Sequence, residues 1–135
     1  MNYGIENQDQ LEAIDNVLQT DLIHSGVQCS ILIDTAGNTI SSCNDGATNY
    51  DTYAFSALAA GNFATVESMA ALAGEAEFSQ LFHKGERISI HFCKVNNDLL
   101  LINIFDNQIS LGLLRLKVSE TIEKINMICT ENQKT

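Results

Sequence analysis

The sequence predicts an α/β (α+β) protein in which a central sheet carries helices on both faces. Apolar residues recur at helical spacing near both ends and in the middle of the chain. Alternating apolar and polar runs fill the stretches between these helices. Residues 99–105 (LLLINIF) are apolar almost throughout, and such a strand must be covered on both faces. The predicted order is therefore helix, two strands, helix, two or three strands, helix.

The N-terminal elements follow from periodicity and turn residues. A helix is predicted over residues 8–23, and it ends before Gly26. Residues 27–34 (VQCSILID) and 39–43 form a hairpin around the turn TAGN, where Gly37 can adopt a positive φ.

The remaining elements are a long helix, a short segment that could be a strand or irregular, two strands and a last helix: residues 51–73, 77–83, 87–95, 99–105 and 110–129. Asp51 can accept hydrogen bonds from the first free amides of the long helix, and Gly74 can close its far end. A hairpin turn of Asn and Asp residues separates the last two strands.

Length and charge limit the functional classes. The 135 residues predict one domain over 1–135, with a core over about 8–128 and a polar tail at 130–135. A net charge of −10 disfavours nucleic acid and anionic membrane surfaces as partners. No apolar run is long enough for membrane insertion, and the polar start lacks signal-peptide order, so we expect a cytoplasmic protein.

Residues that could carry chemistry are scattered. The four cysteines lack metal-ligand spacing, so we predict reduced thiols and no metal site. His91 falls on the polar side of its strand and is expected to be solvated or hydrogen-bonded. Motifs for nucleotide phosphates, zinc proteases and serine hydrolases do not occur. We therefore expect neither a catalytic site nor a cofactor.

The long helix carries two stripes of interest. Small residues share one face: Ala57, Ala60 or Gly61, Ala64, Ser68 and Ala71. The opposite stripe is expected to face the core: Phe55, Leu58, Met69 and Leu72. Small side chains let another backbone come close, which favours a protein interface. The alternative is that alanine is abundant here only because it is the best helix former.

Three motifs resemble one family. They are AGN at 60–62, EFxxxFHxG at 77–85 and IFDNxxSLGLxRL at 104–116. Together they make residues 8–128 similar to the Roadblock/dynein-light-chain superfamily, and within it to bacterial polarity regulators. The resemblance implies a five-stranded antiparallel sheet with the second helix on one face and two helices on the other, a Roadblock (profilin-like) fold. It also makes the segment from Phe78 to His83 an edge strand.

In this family the edge strand pairs with its copy and the two second helices pack side by side. The resemblance thus implies a homodimer with these interface residues: Ala57, Gly61, Ala64, Phe78, Gln80 and Phe82. The partner implied is an MglA-type small Ras-like GTPase in its GTP-bound state. The small stripe would bind it: Ala57, Ala60, Gly61, Ala64, Ser68 and Ala71.

The resemblance further implies that the dimer accelerates GTP hydrolysis by positioning the GTPase switch regions, without an arginine finger, in cell polarity or motility. The cell pole is then a candidate location. One alternative is a non-catalytic scaffold or nucleotide-exchange factor for a small GTPase. Another is a small-molecule sensor, which we disfavour because aliphatic side chains are expected to fill both sheet faces.

Overall fold

A computed structural model describes residues 3–75 and 79–131. Its helices are α1 (Gln8–Val17), α2 (Thr52–Leu72) and α3 (Leu111–Glu131), and its strands are β1 (Val27–Asp34), β2 (Thr39–Asn44), β3 (Gln80–Lys84), β4 (Ser89–Lys94) and β5 (Leu99–Phe105). The first helix continues past α1 as a π turn, Leu18–Leu22, and a 3₁₀ turn, Ile23–Ser25. Each predicted element is therefore present, with ends displaced by a few residues.

The strands form one antiparallel sheet in the order β2-β1-β5-β4-β3. Every residue of β5 is buried, which confirms the central position predicted from its uniform apolar run. The uncertain segment is an edge strand that begins at Gln80. Phe78 lies outside the described residues.

The helices divide between the two faces of the sheet. Ile14 of α1 and Leu114 of α3 pack with Leu101 on one face. Phe63 of α2 packs with Ile102 on the other. The predicted arrangement, with the second helix alone on its face, is confirmed.

The ends of α2 and the β1–β2 turn are fixed by local hydrogen bonds. Asp51 accepts a hydrogen bond from the Ala54 amide at 3.0 Å, and Gly74 closes the helix with a φ of +86°. Asp34 accepts from the amides of Ala36 and Asn38, at 3.0 and 2.9 Å. This turn lies against the N-terminal half of α2.

The prediction of which α2 residues form the core was wrong. Leu58, Met69 and Leu72 are exposed, and Phe55 is only half-buried. The side facing the sheet is instead made of mostly small residues: Ser56, Ala59, Ala60, Phe63 and Ala70. The sheet supplies large side chains such as Ile31, Ile33 and Ile102, so small residues on the helix fill the space without overlap.

His91 is hydrogen-bonded, as predicted, but it is not solvated. Only 1% of its surface is exposed, and its Nε2 lies 3.0 Å from Gln80 Oε1. Burial, and to a smaller extent the charge of Arg115, lowers the pKa of His91 to about 4. Strand alternation correctly predicted that His91 lies on the more polar side of β4, but helix α3 covers that side of the sheet.

Candidate protein-interaction face

Helix α2 presents to solvent a face that is almost free of charge. Glu67 is the one charged residue among its 21. A helix that is apolar on all sides is normally buried on all sides. Since the sheet covers one side of α2 only, the other side is a candidate for contact with a second molecule.

The small stripe lies on this open side with one exception. Ala57, Gly61 and Ala64 are exposed, and Ser68 and Ala71 continue the same row. Ala60 is buried against the sheet, so its predicted place in a contact with a GTPase is wrong. Ala60 and Gly61 point about 100° apart around the helix axis, and Gly61 is the one of the two that faces solvent.

Large apolar side chains lie beside the small stripe, and the sequence reasoning missed them as surface residues. Tyr53, Leu58, Met69 and Leu72 each expose between 60% and 90% of their surface. An exposed apolar patch of this kind marks an interaction site more often than an isolated apolar residue does. The sequence did contain a signal for this interaction face. A helix of 21 residues with a single charge has too few charged side chains for a face that meets only water.

Strand β3 provides a second open element. Opposite pairs between β3 and β4 include Leu81 with Phe92 and His83 with Ile90. Just before β3, Lys94 N donates to Ser79 O at 2.8 Å, so Ser79 and Lys94 are a hydrogen-bonded pair. In an antiparallel ladder such pairs alternate with pairs that do not bond to each other, and residues of the second kind turn their amides outward. The backbone amides of Gln80, Phe82 and Lys84 therefore face away from the sheet.

Side chains of β3 alternate between the two faces of the sheet. Leu81 and His83 lie on the α2 face, where the His83 ring meets Phe92 edge-on at 5.6 Å. Gln80 and Phe82 lie on the α3 face. Half-buried apolar residues, including Ile88 and Ile90, therefore lie near β3 on the same face of the sheet as α2.

The sequence model of the Roadblock/LC7 domain matches residues 13–105. The chain belongs to the Roadblock/LC7 family. No curated protein matches it at the level of sequence. Any function more specific than membership of this family is therefore inferred from the similarity to solved structures.

Three solved structures are similar over nearly the whole chain. MglB of Myxococcus xanthus is 30% identical, covers 95% of this chain and 96% of its own, and superposes with a TM-score of 0.85. The gliding protein MglB of Thermus thermophilus is 26% identical over 94% of this chain and 96% of its own, with a TM-score of 0.86. An MglB with a tetrameric arrangement is 25% identical over 95% of this chain and 96% of its own, with a TM-score of 0.87.

These comparisons confirm the predicted Roadblock resemblance and, within it, the likeness to MglB. Profilin IA of Acanthamoeba castellanii, at 17% identity and a TM-score of 0.59, shares the fold alone. The described residues contain no group of three potential metal-ligating side chains, and the four cysteines form no disulfide. No helix of the described part is long and apolar enough to cross a membrane.

Proposed function

We propose that this MglB-like chain acts as a homodimer whose two α2 helices bind one small Ras-like GTPase of the MglA type. The observation that carries the proposal is the uncharged, exposed apolar face of α2. On the same face of the sheet lies Leu81 of the edge strand β3, whose backbone amides point outward, so one molecule offers two surfaces that suit a second copy.

In the proposed dimer, β3 pairs with its copy and continues the sheet across the two-fold axis. Backbone pairing through Gln80 and Phe82 would satisfy their outward amides. The α2 helices would then lie side by side, with Ala57, Gly61 and Ala64 allowing the two backbones to approach closely. Phe78, also predicted for this interface, lies outside the described residues.

The GTPase in its GTP-bound state would bind across both α2 helices. On each helix the contact uses the exposed small residues and their apolar neighbours: Ala57, Gly61, Ala64, Ser68, Ala71, Leu58 and Leu72. The net charge of −10 favours a partner whose facing surface is basic.

The proposed action is to hold the GTPase switch regions in the arrangement that hydrolyses GTP, in a pathway of cell polarity or motility. An arginine finger contributes about 10³ to 10⁵ in rate where it exists. Here Arg115 lies on α3, across the sheet from α2, and α2 itself has no arginine. A binding partner without a finger can still accelerate hydrolysis by favouring one conformation of the GTPase.

The proposal is tested by single-turnover GTP hydrolysis by an MglA-type GTPase from the same genome. We expect the rate to rise with concentration of this chain and to saturate. The release of labelled GDP, measured in parallel, separates the alternatives. Faster GDP release with unchanged hydrolysis would identify an exchange factor, and binding without either effect would identify a scaffold; both outcomes overturn GTPase activation.

A further inference from the structure

A cavity of about 200 Å³ opens between α3 and the outer strands β3 and β4, on the face opposite α2. Gln80, His91, Arg115 and Ser119 give it polar walls. Val118, Ile122 and Cys93 give it an apolar side. The expectation that aliphatic side chains fill both faces of the sheet is therefore wrong at this end of α3.

The polar walls of the cavity consist of hydrogen-bond donors in excess of acceptors. Arg115 is exposed and forms no ion pair with a described residue. Gln80 lines the cavity and accepts a hydrogen bond from His91 at its Oε1, so the donors of its amide NH₂ group are not used in that contact. The Ser119 hydroxyl completes the set, and none of the described lining residues is acidic. In a chain with net charge −10, the described lining thus carries one positive charge and no negative one.

Unmet hydrogen bonding continues inward from the cavity. The Nδ1 atom of His91 has no partner among the described residues. Asn103 lies opposite His91 on β5 and is fully buried, and neither of its side-chain amide atoms has a partner in the part of the chain that the structure describes. Ser30 follows opposite Asn103 on β1, and its buried hydroxyl likewise has no described partner. Buried polar atoms in native proteins are almost always satisfied by protein, ordered water or ligand.

We propose that this cavity binds a small carboxylic acid, with the carboxylate on Arg115 and the Gln80 amide and the hydrocarbon part against Val118 and Ile122. A guanidinium pairs well with a carboxylate, because its parallel donors match the two oxygens. A single cation and an apolar wall suit a monocarboxylate better than a doubly charged phosphate. The volume fits an acid of about four to six carbons.

His91 holds the Gln80 side chain in place beneath the site. It is 1% exposed and lies on the floor of the site. Since Gln80 Oε1 can only accept, His91 Nε2 donates to it, and the neutral ring is left with Nδ1 as an acceptor, which a carboxylate can reach only through a bridging water. Since its other nitrogen contacts Gln80, the ring orientation is fixed by the same amide that would meet the carboxylate. Ordered water would link the acid to the inner row of Asn103 and Ser30. This site is separate from α2, and it does not rest on GTPase binding.

The test is a titration of the full chain with sodium hexanoate, followed by NMR at constant ionic strength and pH 7.5. We expect saturable shifts at the Arg115 Nε–H, the Gln80 side-chain amide and the His91 ring. Hexanamide, which keeps the hydrocarbon but lacks the charge, should bind at least about tenfold more weakly. The Arg115→Gln variant should raise the hexanoate Kd by at least about tenfold.

Two variants make the result specific. Arg87→Gln removes the other arginine of the chain, which is exposed and does not line the cavity, and should leave the Kd unchanged. Ser119→Trp keeps the cation but fills the mouth, and should abolish saturable binding. Two results would overturn the proposal and leave a cavity that holds water only. One is the absence of saturable shifts at Arg115, Gln80 and His91, and the other is equal hexanoate binding by wild type and Arg115→Gln.

Discussion

The aromatic ring of Phe82 in the edge strand stacks on that of Phe105 in the central strand, with centroids 6.1 Å apart and 17° between the ring planes. Phe82 is therefore part of the core of its own subunit on the α3 face. A polar substitution there would weaken the subunit as well as any dimer. The backbone of β3, rather than this side chain, is the part left open to a partner.

Proline at Lys84 tests pairing through this edge. The Lys84 amide faces outward, so Lys84→Pro should leave the β3–β4 ladder intact while removing a donor to the partner strand. We expect the dimer dissociation constant to rise at least about tenfold, because one hydrogen bond is lost on each side of the two-fold. Sedimentation equilibrium measures it.

The control for Lys84→Pro is Lys84→Thr, which removes the charge but keeps the outward amide. It should dimerise like wild type. Equal dissociation constants for the threonine and proline variants would exclude β3 from the dimer interface, and circular dichroism checks that both remain folded.

Exposed leucines on α2 and α3 can be compared directly. Leu58 is 75% exposed on α2 and Leu116 is 55% exposed on α3. Leu58→Gln should weaken dimerisation or GTPase binding by about 1–2 kcal/mol. The reason is that the free energy gained by removing the leucine surface from water at the contact is lost. Leu116→Gln should change neither, as measured by sedimentation velocity and calorimetry. A larger effect at Leu116 would move the interface to α3.

A long charged side chain at Ala64 tests the proposed platform for the GTPase. Ala64 is exposed, so Ala64→Arg should fold normally but block binding, since the guanidinium would be desolvated at a close contact. Ala64→Ser keeps the small size and should bind. Pull-down with the GTPase loaded with GTP measures both, and undiminished binding by a folded Ala64→Arg protein would refute this placement.

His91 predicts a loss of stability in mild acid. The unfolded chain binds a proton at His91 near pH 6.5, whereas the folded chain keeps the ring neutral down to about pH 4. The folded state is therefore fully favoured above pH 6.5 and loses stability as the pH falls toward 4. Lowering the pH from 7.5 to 5 should cost about 2 kcal/mol at this residue. Urea unfolding at both values measures the change.

The controls for His91 are two glutamine variants. His91→Gln removes the titrating group among Gln80, Cys93 and Arg115, and should lower the pH dependence by about 2 kcal/mol. His24→Gln, at an exposed position, should keep it. An unchanged pH dependence in His91→Gln would contradict a neutral buried ring.

Periodicity was sufficient for the elements of this fold because they carry distinct signals. The uniform run of β5 predicted its central place, and Asp51 and Gly74 predicted the ends of α2. The orientation of α2 was not predictable in the same way. Both its sides are apolar, and large residues such as Leu58 ordinarily mark a core, yet the sheet already supplied the bulk and took alanines.

The proposed binding residues were predictable only in part for the same reason. The exposed small stripe could be derived from spacing, but the burial of Ala60 depends on the sheet beneath it. The depth of His91 depends on α3, which lies far away in the sequence and covers one end of β4. Local patterns assign a side chain to a face, whereas packing between distant elements decides whether that face meets solvent.

The most direct test of the proposed joint α2 platform is the mass of the complex with the GTP-loaded GTPase, by light scattering after size exclusion. The subunit mass is 14.8 kDa. We predict a dimer of this chain when it is alone and two copies with one GTPase in the complex. A single copy of the chain, alone or with one GTPase bound, would contradict the platform formed by two α2 helices.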